Sequence, residues 1–143
     1  MHKKANDIVA VATGLVGVRY RHQGRNQFGL DCAGLIIVIA NLLDITDKDT
    51  TAYSPRPNVK EFTAFMIETG CKQLPTGKLE HGDILRMNSI SWPVHLGVYE
   101  IDEQGREWYT HAYAAHKKVT RDPLTDTVKA TISSIWRFPE GGE

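Results

Sequence analysis

The apolar residues of this chain change their spacing once, between residues 70 and 83, and that change restricts the possible folds more than any other feature. Before it, apolar positions recur at helical intervals. Ile8, Val11, Ala12 and Leu15 make an i, i+3, i+4, i+7 stripe within residues 3–16. Residues 32–43 are apolar almost all round, as in a buried helix. Their Ile36, Ile37, Val38 and Ile39 favour strand by propensity, and the preceding cap and the length of the run decide for helix. Pro55 and Pro57 punctuate a loop, and Val59, Phe62, Phe65 and Met66 mark a third helix stopped near Gly70. After the change, residues 83–88, 94–101, 106–112, 116–121 and 130–138 are short, β-branched or aromatic, and separated by turn residues. Helices followed by strands specify an α+β fold, with helices packed on an antiparallel sheet of about five strands that curls toward a half-open barrel. Residues 1–143 make one domain by length, large enough for a core without staples.

The chemistry concentrates in YRHQGRNQFGLDCAGL, residues 20–35. Asp31 is a good N-cap type, so Cys32 falls in the first turn of the second helix. There the unpaired N–H groups and the helix dipole favour negative charge, and the expected thiolate lies below the free-thiol value of about 8.5. A cysteine nucleophile needs a base, and His95 in the strand HLGVY (95–99) is the candidate. His95, Gly97 and Tyr99 share one strand face and Leu96 and Val98 the other; Gly97 leaves room beside the histidine for a helix or a substrate. His111, in YTHAYAAH (109–116), is placed to orient that base from the next strand. If the two histidines pair directly, the hairpin closes around three residues, Asp102 to Gln104. A four-residue loop would set them on opposite faces unless a bulge intervened, so the odd loop or the bulge is expected.

Charge excludes some partners. Seventeen Lys and Arg balance seventeen Asp and Glu, and without a basic stripe nucleic acid is not an expected partner. His2, His22, His81 and His116 lack zinc-type spacing, with no HExxH and no CxxC, so neither a metal nor a cofactor is expected. No apolar run approaches the roughly 20 residues of a membrane span, and Asn6 and Asp7 interrupt the only segment resembling a signal peptide. Synthesis in the cytoplasm without a signal peptide is therefore expected. Two cysteines do not make a disulfide framework, and Cys71 reads as inert. Trp92 and Pro93, just before His95, are placed to wall a cleft.

Taken together, these segments resemble the NlpC-like family of cell-wall cysteine peptidases. Tyr20 stands where the family has a tyrosine before the nucleophile. GLDCAGL (29–35) matches the cysteine motif, HGDIL (81–85) the glycine–aspartate turn, HLGVY (95–99) the histidine strand and THA (110–112) the third polar residue. The resemblance implies a papain-like core with Cys32 as nucleophile, His95 as base and His111 as the orienting group. It implies an oxyanion held by N–H groups at the start of the Cys32 helix, with the Tyr20 hydroxyl nearby, and Asp31 as a contact for the free amine of a peptidoglycan stem peptide. The bond implied is that between γ-D-glutamate and the diamino acid. Ala33 replaces the usual serine, and Arg21, His22 and Gln23 stand where many relatives have tryptophan and glycines. RHQGR before the cysteine motif is most similar to the phage-tail and gene-transfer-agent branch, which implies phage tail proteins as partners and a place in a virion or at the cell wall. Two other readings stay open: a tail assembly protein that keeps the fold and works by binding, and a cysteine amidase or acyl transferase on another substrate.

Overall fold

The computed structural model describes residues 2–55, 57–75, 77–88 and 94–140. Trp92 and Pro93 lie outside them. Helix α1 spans Ala5–Gly14, a two-strand hairpin follows (β1 Arg25–Asn26, β2 Gly29–Leu30), and α2 runs Cys32–Leu42. After a long loop come α3 (Val59–Glu68), β3 (Lys72–Leu74), β4 (Ile84–Met87), β5 (His95–Ile101), β6 (Glu107–Tyr113), β7 (Lys118–Pro123), the short helix α4 (Asp126–Lys129) and β8 (Ile132–Arg137). The main sheet is antiparallel in the order β3-β8-β4-β5-β6-β7. The fold is α+β, as the change of period requires. The sheet has six strands rather than five: β3 pairs Lys72, Gln73 and Leu74 with the last strand, and its two exposed polar residues show no alternation.

Helix α2 packs its apolar length against one face of the sheet. Leu35, Ile36, Ile37 and Ile39 are buried there with Leu96 and Val98 of β5 and Phe62, Phe65 and Met66 of α3. Each such side chain contributes about 1.5–3 kcal/mol on burial, enough to override the strand propensity of the isoleucines. The other face carries a smaller cluster of Leu85, Met87, Tyr99, Tyr109 and Leu124. Leu96 and Val98 thus point to one side and Tyr99 to the other, as their alternation demands. Among the described residues no helix is long and apolar enough to cross a membrane.

Candidate active site

Cys32 is the first residue of α2, and the residue before it fixes how the helix starts. Asp31 is extended (φ −101°, ψ −174°) and accepts from the Gly34 N–H at 2.7 Å, the capping bond its type predicts. Its second oxygen accepts from the Gln23 N–H at 2.7 Å and the Tyr53 hydroxyl at 2.8 Å. The Arg25 guanidinium stands 3.4 Å away. The small β1–β2 hairpin is thereby drawn onto the helix start. A Cβ on Gly34 would lie 2.1 Å from the Gly24 carbonyl oxygen, so the second glycine of GLDCAGL is a steric requirement. Gln23 takes a left-handed conformation, φ 58°, which presents its N–H to Asp31 and frees its side chain to reach the Thr51 carbonyl at 2.6 Å.

His95 opens β5 and meets His111 of β6. Ile101 pairs with Glu107 and Val98 with Thr110, so the connecting loop is 102–106, odd in length as required for a shared face. Direct pairing is not what the strands adopt. The same register sets the two histidines on a diagonal, and their side chains lean together until His95 Nε2 and His111 Nδ1 are 2.6 Å apart. Nor does the gap at Gly97 admit a helix or a substrate. Met87 and Tyr109 fill it, and the Tyr109 ring tilts over His111 at 4.3 Å between centroids.

Beyond His111 the chain continues to Asp122 of β7, whose Oδ2 is 2.7 Å from His111 Nε2. Thr120 donates to the same carboxylate oxygen at 2.8 Å. This contact decides both ring tautomers. A carboxylate only accepts, so His111 carries its proton on Nε2 and leaves Nδ1 bare. Bare Nδ1 only accepts, so His95 donates from Nε2 and keeps its own Nδ1 lone pair free. Burial holds both rings neutral: His95 is pushed down to about 3, with His111 and His116 adding to the effect. His111 is lowered by burial against the raising bond to Asp122. Burial works to raise the Asp122 carboxyl, but the bonds from His111 and Thr120 prevail and hold it below its ordinary value. Asp122 is a positioning residue that neither the motif nor the periodicity announces. Asp122→Ala is expected to lower kcat about ten- to a hundredfold with KM little changed, as loss of a tautomer-fixing carboxylate does in milder form when it acts through a second ring. Unchanged kcat in steady-state assays would remove Asp122 from this role.

The Cys32 thiol differs from its sequence expectation. Burial and then the Asp31 carboxylate push it up to about 12, against the opposing pull of backbone N–H groups of Leu96, Ala33 and Cys32 itself. The helix start favours a thiolate, but enclosure and a neighbouring anion outweigh it. At rest the thiol and both imidazoles are neutral. Leu96 directly follows His95, so the N–H that reaches the sulfur belongs to the residue next to the candidate base in β5. Difference absorbance near 240 nm between the protein and Cys32→Ala is therefore expected to show no thiolate between pH 6 and 9. A thiolate signal at neutral pH would mean an ion pair instead.

A small cleft lies beside the sulfur, lined by Tyr20, His22, Asp31, Cys32, Ala33 and Tyr53 and walled by Ser54, Pro55, Pro57, Glu61, Phe62 and Phe65. Tyr20 is set by its backbone bond to Lys117 (2.9 Å), and burial together with Cys32 and Asp31 raises its phenol above the ordinary value. Asp31 is only 2% exposed and surrounded by donors of its own chain. Tyr53 has no sequence signal. The loop bearing it is pinned by Arg25, which bonds Asp49 (3.1 Å), the Thr50 carbonyl (3.0 Å) and the Tyr53 hydroxyl (2.9 Å). Cys71 is buried, and its sulfur contacts Thr69 at 3.7 Å, far from this chemistry in role. The structure therefore brings Tyr20, Asp31 and Cys32 into one cleft and joins His95 to His111.

Known proteins share this fold. The NlpC domain of the peptidoglycan hydrolase SagA superposes with a TM-score of 0.61 at 19% identity, over 92% of this chain and 96% of that one. An NlpC/P60 family protein from Bacillus cereus gives 0.63 at 19% identity, over 96% of this chain and 41% of that one. NlpC2 from Trichomonas vaginalis gives 0.63 at 16%, over 96% and 46%. This chain thus spans less than half of the Bacillus and Trichomonas proteins, and at such identities the likeness is one of fold. No curated protein sequence matches the chain. The family model for NlpC/P60 matches residues 17–137, from just before Tyr20 to the end of β8, and the chain belongs to the NlpC/P60 family.

Proposed function

We propose that this chain is a cysteine peptidase that hydrolyses an amide bond in the peptide stem of peptidoglycan, between γ-D-glutamate and the diamino acid. The observation that carries the reading is the relay Asp122–His111–His95, which leaves the Nδ1 lone pair of His95 free, one residue from the Leu96 N–H that reaches the Cys32 sulfur at the cleft. His95 Nδ1 takes the thiol proton as sulfur attacks the carbonyl carbon. The N–H groups at the start of α2 and the Tyr20 hydroxyl steady the oxyanion. Protonated His95 then gives its proton to the leaving amine, and a thioester remains on Cys32. Water, deprotonated by His95, releases the acid and restores the thiol. Asp31 supplies negative charge at the cleft for a stem amine. Ala33 adds no hydroxyl there, so the amine is met by charge alone. The cell-wall substrate is supported by SagA, whose NlpC domain belongs to a peptidoglycan hydrolase. The setting we assign is a phage or prophage tail, with tail proteins as partners, on the strength of the RHQGR segment.

Mass spectrometry of stem-peptide muropeptides, with the stem amine free or blocked, tests this directly. Fragments split after D-glutamate are the expected result. Cleavage at another bond would make the chain an amidase of different specificity. Intact stems of both kinds from mildly acidic to alkaline pH would favour a tail assembly protein.

A further inference from the structure

On the side of His111 away from His95, three potential metal ligands converge. His111, His116 and Asp122 each offer one donor atom, and these atoms lie within 4.8 Å of one another. They come from three backbone places: strand β6, the 3-10 turn Ala114–His116, and strand β7. Thr120, directly opposite His111 in the β6–β7 register, puts its hydroxyl among them, 3.2 Å from His111 Nε2, 2.8 Å from Asp122 Oδ2 and 3.4 Å from His116 Nδ1. His111 is 2% exposed, while His116 stands on the surface. Two imidazoles and a carboxylate with an open position are a donor set that suits zinc, with bonds of about 2.0–2.2 Å. The far nitrogen of His111 is held by His95, the outer contact that orients a metal-binding histidine. No spacing in the sequence announces the set, because the β6–β7 hairpin assembles it.

We propose that His111, His116 and Asp122 form a binding site for a divalent cation of the zinc type, and that filling it switches the histidine relay off; the second half rests on the peptidase reading. The metal needs the Nε2 lone pair of His111, so that nitrogen gives up its proton. The ring stays neutral by taking a proton on Nδ1 across the 2.6 Å contact from His95 Nε2. His95 recovers a proton on Nδ1, equal in number to the one displaced by the metal, so the proton count is unchanged. His95 then presents N–H where it presented a lone pair, and no base faces the Cys32 thiol. Inhibition follows without any bond between metal and sulfur.

Zinc titration calorimetry on the whole chain, paired with 15N spectra of its histidine rings, tests both halves. One equivalent is expected to bind the native protein and Cys32→Ala alike. His116→Gln, on an exposed turn, is expected to bind at least tenfold more weakly while cleaving stem peptides normally in chelator. The His95 ring pattern is expected to exchange its protonated nitrogen on zinc addition, and hydrolysis to stop with zinc and return with chelator. Equal binding by His116→Gln, or binding lost in Cys32→Ala, would overturn the site. Zinc binding with an unchanged His95 pattern would overturn the switch. Binding and tautomer exchange in a protein that cleaves no stem would leave the metal site standing and fail the peptidase reading alone.

Discussion

Cys32→Ala is expected to end stem-peptide hydrolysis, lowering the rate about ten-thousandfold or more, since removing the nucleophile of a cooperating set costs as much as removing the set. The relay has no value without it: His95 would hold its lone pair toward an unreactive methyl group. The fold should not suffer. The helix start depends on the Asp31 carboxylate and the Gly34 N–H, neither of which involves the sulfur, and alanine is the best helix former. A melting temperature within a few degrees of the native protein, with no fragments in the mass spectrum, is the expected pair of results. Fragments persisting at the native rate would sink Cys32 as nucleophile. They could not be assigned to Cys71, which is buried beside Thr69 and does not line the cleft.

Much of this site can be read from the chain because its parts are local. Asp31 caps α2 through a contact three residues long, and Cys32 follows from that by counting. The parity of the two histidines follows from the alternation of a strand, which is why an odd loop could be required before its length was known. The length itself depends on turn chemistry. Asp102 accepts from the N–H groups of Gln104 (2.9 Å) and Arg106 (2.8 Å) and from Trp108 Nε1 (3.0 Å). Those three bonds close five residues rather than three, and the histidines meet diagonally instead of face to face.

The rest is non-local. Asp122 reaches His111 only because β7 pairs with β6 in one register among several that the alternation allows. Tyr53 belongs to the site because Arg25, 28 positions earlier, ties its loop down, and a lone tyrosine shortly before Pro55 carries no such sign. Strand β3 is too short and too polar to show a period. The thiol departs from the sequence expectation for a different reason: a helix N-terminus is visible in sequence, whereas burial is not, and burial is the larger effect here.

Asp31→Ala is the substitution expected to harm the fold most. The carboxylate is buried and gathers the Gly34 and Gln23 N–H groups, the Tyr53 hydroxyl and Arg25. Its removal leaves donors from the helix start, the hairpin and the loop without their common acceptor. Breaking a buried charged contact of this kind costs about 3–5 kcal/mol, which for a chain of this size lowers the melting temperature by about 10 °C or more. Asp31→Asn keeps an acceptor oxygen but loses the charge, and about half that loss is expected. The neutral variant also separates two roles. With the neighbouring anion gone, the Cys32 thiol should titrate lower than about 12, so alkylation at fixed alkaline pH should quicken. If Asp31 also attracts a stem amine, Asp31→Asn should raise KM for free-amine stems and leave blocked-amine stems unaffected. A melting temperature for Asp31→Ala within two degrees or so of native would show that Asp31 does not hold the three segments together. An equal rise in KM for both stems would assign its effect to the shape of the cleft rather than to its charge.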